Sequence, residues 1–162
     1  MKRRLITTLF ILFIILSLVS PALAQGDYYF AVEKEVVHVY WNADGTMSID
    51  YTWVFNNQPG AHVIDFVDVG TPNNHYSDIL ADVNGNPLSI STDYQGEGGS
   101  GFAVDMGAYT IQPGQSGTLH VYIGRVERML YPDTEDETYT SGEFVPTWFG
   151  SQYVTGSTDI TV

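Results

Sequence analysis

The sequence predicts an all-β fold, an immunoglobulin-like β-sandwich, with a jelly roll or another Greek-key sandwich as the alternative. Three observations predict it. Between positions 46 and 55, Met47, Ile49, Tyr51, Trp53 and Phe55 alternate with Thr46, Ser48, Asp50 and Thr52, the two-residue period of a strand with one buried face. The apolar runs are short, and clusters of Asn, Gly, Pro and Asp separate them. Such residues accept positive φ or preset a turn. No stretch carries the 3.6-residue period of an amphipathic helix.

The elements follow in order. A first strand is expected over residues 28–41, broken near Lys34, with Val37, Val39 and Trp41 alternating with Val36, His38 and Tyr40. Asn42-Ala43-Asp44-Gly45 closes a hairpin to the second strand, over residues 46–55. Asn56-Asn57-Gln58-Pro59-Gly60 is a turn cluster. Residues 61–69 carry apolar side chains on both faces, interrupted by Asp65 and Asp68, which reads as a more central strand. Gly70-Thr71-Pro72-Asn73-Asn74 breaks the chain. Residues 78–83 and 88–92 form a hairpin around Asn84-Gly85, the strongest short hairpin signal. Residues 95–101 hold four glycines and read as a flexible loop. Residues 102–111 are expected as one or two short strands around Gly107. After the 112–117 turn, residues 118–126 alternate, with Leu119, Val121 and Ile123 inward and His120 and Tyr122 outward. Gly156-Ser157 reads as a turn, and residues 158–162 as the beginning of a strand.

The N-terminus reads as a secretory signal. Lys2, Arg3 and Arg4 precede an apolar run, and Ala22-Leu23-Ala24 supplies a small-x-small cleavage pattern. Residues 1–24 are therefore assigned as a cleaved signal peptide, and residues 25–162 as one exported, extracellular or cell-envelope domain. Residues 150–162 are expected to lead into a following domain, because the alternation stops in mid-pattern and leaves a strand edge. Beyond the leader, Lys34, Arg125 and Arg128 face all nineteen acidic residues of the chain. A surface this acidic repels phosphate backbones and excludes a nucleic-acid partner. The chain has no cysteine, so no thiol nucleophile, thiolate metal site or disulfide contributes. About 138 residues after the leader suffice for a core without staples.

No motif carries a catalytic, cofactor or metal assignment. Gly114-Gln115-Ser116-Gly117-Thr118 approaches a nucleophile elbow but lacks its last glycine, and it sits between strands. His38, His62, His75 and His120 lack metal-ligand spacing and would have to converge in the fold. Asp133-Thr134-Glu135-Asp136-Glu137 lacks the glycine and spacing of a calcium loop and reads as a solvated acidic loop. The candidate binding residues are Tyr131, Tyr139, Trp148, Phe149 and Tyr153, an aromatic crowd that would serve as a ligand platform or a packing surface.

Tyr40-Trp41-Asn42-Ala43-Asp44-Gly45-Thr46, Ile64-Asp65-Phe66-Val67-Asp68-Val69-Gly70, and Phe144-Val145-Pro146-Thr147-Trp148-Phe149 with Gly156-Ser157-Thr158-Asp159 resemble uncharacterised exported proteins of Chloroflexi-type bacteria. Their layout is similar to the N-terminal extracellular domain of a predicted-membrane-protein family of unknown function. The resemblance implies a non-enzymatic interaction or spacer domain of a larger envelope protein, without cofactor. Its expected partner is a protein domain of the same or another envelope chain, or a glycan. Membrane attachment would come only through the signal peptide or a C-terminal anchor beyond Val162. A carbohydrate-binding module and a hydrolase with unassigned acids are the alternative functions.

Overall fold

The computed structural model describes residues 27–162; the signal assigned to residues 1–24 lies outside them. The expected hairpin forms from β1 (Phe30–Trp41) and β2 (Met47–Asn57), paired antiparallel. Gly45 closes its turn at φ 81°, where a Cβ would be strained. Asp44 reinforces the turn by accepting bonds from the Thr46 N–H (3.1 Å) and hydroxyl (2.7 Å). The alternation read from the sequence becomes burial: Met47, Ile49, Tyr51, Trp53 and Phe55 all face inward and are fully enclosed. Each such side chain contributes about 1.5–3 kcal/mol of transfer free energy. The break expected near Lys34 is a register shift between Val32 and Lys34.

Residues 61–69 differ from expectation. Only β3 (Phe66–Gly70) is a strand, and it lies at an edge of a three-stranded sheet with β6 (Ser89–Ser91) and β7 (Gly101–Asp105), in the order β3-β7-β6. Apolar residues on both faces predict a central position. They instead serve two different contacts: Val67 and Val69 enter the core, while Phe66 meets the ring of Tyr28 edge-on at 6.0 Å. Ile64, upstream, bridges to Ile111.

The Asn84-Gly85 turn forms with both residues at positive φ, 52° and 82°, the geometry this pair favours. The returning chain departs from expectation, however. β5 (Asn86–Pro87) accompanies β4 (Tyr76–Val83) for two residues only. Pro87 has no N–H to continue the ladder. Leu88 makes one last bond to the Ala81 carbonyl (2.9 Å), and β6 then crosses to the other sheet to pair with β7. Beyond β7, Gly107–Tyr109 forms a 3₁₀ turn instead of more strand.

β8 (Ser116–Val126) alternates as predicted and pairs with both β2 and β4. β9 (Leu130–Pro132) and β10 (Thr140–Gly142) make a separate two-stranded hairpin. The last strand, β11 (Val154–Thr161), starts earlier than expected and runs parallel to β1. Gly156 is therefore not a turn residue. It lies inside β11 at the β1 bulge, where a Cβ would stand 1.6 Å from the Glu33 carbonyl oxygen. The larger sheet reads β11-β1-β2-β8-β4-β5. It faces the three-stranded sheet over one core joining Tyr51, Trp53 and Val121 with Val69, Phe102 and Val104. The molecule is an all-β sandwich, as the turn chemistry and two-residue period predict. No helix among the described residues is long and apolar enough to cross a membrane.

Candidate binding cleft

The segment 143–153 has no regular structure, yet its placement is tightly determined. The Phe149 ring lies edge-on to Phe30, Trp53 and Phe55, with centroids at 6.1, 5.9 and 5.4 Å. Tyr153 stacks on Phe30 at 4.7 Å and 12°. Thr147 donates its N–H to the Tyr51 hydroxyl oxygen (3.2 Å) and its own hydroxyl to the Gly70 carbonyl (2.8 Å). With Thr147 and Phe149 turned inward, Trp148 between them is left 63% exposed.

This segment forms one wall of a cleft of about 700 Å³. The loop after β6 forms the facing wall. Tyr94 donates its hydroxyl proton to the Glu97 carbonyl. Its ring lies against backbone that only glycine leaves open: a Cβ at Gly96 or Gly101 would come within 2.6 Å of it. Asp68, from β3, also lines the cleft. One of its carboxylate oxygens accepts the Gln95 N–H at 3.3 Å; the other is enclosed and has no protein partner. Burial pushes the Asp68 carboxyl above its ordinary range, the Gln95 N–H opposes that, and the charge of Asp93 adds to it. Burial, with the charges of Asp68 and Glu97, likewise raises the Tyr94 phenol. Glu97 and Glu143 complete the acidic lining, which contains no Lys, Arg or His.

Of the five aromatic residues expected to act together, Trp148, Phe149 and Tyr153 line the cleft, and Phe149 is chiefly a packing residue. Tyr131 and Tyr139 lie elsewhere, on and beside the β9–β10 hairpin. Proximity in sequence misled here because residues 130–142 fold back on themselves. Asp133 accepts the N–H groups of Glu135 and Asp136, and the Ser141 hydroxyl. Asp136 accepts both donors of Thr138. These bonds hold both carboxyls below their ordinary range, so the acidic loop uses its charges to close its own turn. The sequence marks Asp68 and Tyr94, two other residues of the cleft, only indirectly. Their signals were present: a carboxylate interrupting an apolar strand, and an aromatic ring beside a four-glycine loop.

A second polar cluster lies on the outer face of the larger sheet. His120 contacts Asp82 through Nδ1 (2.9 Å) and Asp50 through Nε2 (3.1 Å). Strand register brings these three residues together across β2, β8 and β4. His38 and His75 do not join them, and His62 packs against Tyr28 at 4.8 Å.

No family model matches the chain, and no curated protein matches it. Among solved structures, the chain is similar to an M1 zinc metallopeptidase from Deinococcus radiodurans, at 17% identity and a TM-score of 0.41, covering 64% of this chain and 22% of that one. It is also similar to leukotriene A4 hydrolase from Saccharomyces cerevisiae, at 16% identity and a TM-score of 0.45, covering 62% of this chain and 15% of that one. The chain thus spans less than a quarter of the length of either protein.

Proposed function

We propose that this chain is a non-enzymatic, extracytoplasmic interaction domain of a larger bacterial envelope protein, built on an immunoglobulin-like sandwich and exported on residues 1–24. Its ligand or partner contacts the cleft between the Tyr94 loop and the 143–153 segment. The observation that carries this reading is Trp148, a large ring held 63% exposed on a segment that is otherwise pinned to the core. Anchored aromatic side chains with open faces favour binding, because little rotamer freedom is left to lose on contact.

A carbohydrate-binding module is the second reading, supported by Trp148 and Tyr153 sharing one cleft. Titrating the purified chain with glycans, peptides and small amines, while following the indole N–H resonance of Trp148, tests both. The interaction reading expects a saturable shift of that resonance with at least one class of ligand, and calorimetric binding of the same ligand that is lost in Trp148→Ala. The module reading requires that class to be glycans. Turnover of a hydrolase substrate by wild type would overturn the non-enzymatic assignment, and the absence of any saturable shift would overturn the placement of the site.

A further inference from the structure

We propose that the cleft accepts a primary ammonium group, with Asp68 as its charge partner and Trp148 and Tyr94 as its aromatic walls. The inference rests on the cleft being the binding site and adds the chemical class of what binds there.

Three independent features point to a cation carrying N–H donors. The first is the under-satisfied acceptor: Asp68 is half-buried in the cleft lining, its Oδ1 is sealed off, and its Oδ2 is served by a single long backbone N–H at 3.3 Å. A partly buried carboxylate with one weak donor gains from a charged donor that reaches its Oδ2. The second is the sign of the lining. Asp68, Glu97 and Glu143 are the charged residues of the lining, with no basic residue among them. Arg125, one of the few cations available, is engaged by Asp44 and Glu127. The third is the pair of rings at the walls, whose faces attract cations. Volume agrees, since about 700 Å³ falls within the range of small-molecule sites.

A neutral sugar would satisfy the rings but leave the carboxylates uncompensated. A quaternary ammonium would satisfy the charge but bring no N–H to Asp68. A primary ammonium brings both. The group occurs on lysine side chains and on amino sugars, and the choice of probe separates these sources.

Calorimetric titration of the full chain would use Nα-acetyl-lysine amide, its Nε-acetylated counterpart, choline, a glucosamine oligomer and an N-acetylglucosamine oligomer. The expected result is binding of one or both free amines at low salt, weakened as salt is raised. Nε-acetylation, N-acetylation or replacement by choline should each lower affinity by about tenfold or more. Preference for lysine amide identifies a protein source, and preference for glucosamine a glycan source. Asp68→Asn should lose the amine preference while keeping the Trp148 resonance in place, and Glu143→Gln should weaken binding less. Equal affinity for acetylated and free probes, or unchanged amine binding in Asp68→Asn, overturns the proposal. If neutral glycans alone shift Trp148, the ammonium inference fails while the cleft remains the binding site. If no probe binds, the ammonium inference fails, and the wider titration with glycans, peptides and amines decides the cleft itself.

Discussion

The hydroxyl oxygen of Tyr51, at the centre of β2, accepts the backbone N–H of Thr147 at 3.2 Å, across 96 residues of chain. This bond ties a coil segment to the most deeply buried strand and fixes where the cleft wall stands. Burial raises the Tyr51 phenol above its ordinary range, against the opposing effect of the Thr147 bond, so the ring acts as a neutral acceptor. Tyr51→Phe should leave the buried Thr147 N–H unsatisfied and cost about 1–3 kcal/mol. Chemical denaturation measures that loss. Hydrogen exchange should locate it at residues 145–150, with the amides of β2 still protected; uniform loss of protection would show that the bond does not act locally.

Gly156 lets β11 approach the β1 bulge. In Gly156→Ala the new methyl would meet the Glu33 carbonyl, and the strands must separate. The expected cost is about 1–3 kcal/mol, with faster exchange at the amides of residues 154–161. Retention of wild-type protection along β11 would refute the close-approach argument.

Glu35 is a carboxylate on the inner face of β1, only 5% exposed, and accepts the Trp53 indole N–H at 2.9 Å. Thr158 on β11 supplies a longer bond at 3.3 Å. Trp53→Phe removes the better donor and opens space in the core, so it should cost more than about 3 kcal/mol. Glu35→Gln keeps an acceptor for the indole and should cost less. The reverse order in urea unfolding would contradict the assignment of Trp53 as the partner that makes this burial tolerable.

Two side-chain contacts give opposite pH signatures. Tyr28 donates to Asp65 at 2.8 Å, and its phenol is pushed up to about 12 by burial first and by Asp65 second. A raised folded pKa means that this contribution is complete below pH 10, the ordinary phenol value, and is lost as pH rises toward 12. Asp44 is held down to about 2 by its bonds to Thr46 and Arg125. Its contribution is present above pH 3.8 and is lost as pH falls toward 2. Stability against pH should therefore flatten at the alkaline end in Tyr28→Phe and at the acid end in Asp44→Asn, each relative to wild type. Parallel curves for variant and wild type would rule out that contact as a source of the dependence.

Cleft carboxylates and stability should oppose each other. Asp68 carries a charge that its surroundings disfavour when no ligand is bound. Asp68→Asn should raise the melting temperature at neutral pH, with the gain shrinking as acid protonates the wild-type carboxyl. A lower melting temperature at neutral pH would mean that the carboxylate supports the fold.

Local pattern was enough to determine much of this molecule. The two-residue period from Met47 to Phe55 and from Leu119 to Ile123 assigned the inward side chains correctly, because strand geometry alone sends alternate residues to opposite faces. Asn84-Gly85 and Gly45 likewise marked their turns through backbone sterics, which need no distant partner. Tertiary pairing decided the rest. Nothing near residue 156 indicates that its neighbour is the Glu33 carbonyl, so glycine there looked like a turn. Trp148 and Tyr139 looked equivalent until Phe149 seated one segment on the β1–β2 face and the Asp133 turn folded the other away. Asp68, Tyr94 and Trp148 meet in one cleft only because β3 lies at a sheet edge and the 143–153 segment crosses over it. Such meetings depend on long-range register and packing, and these are set by the whole core together.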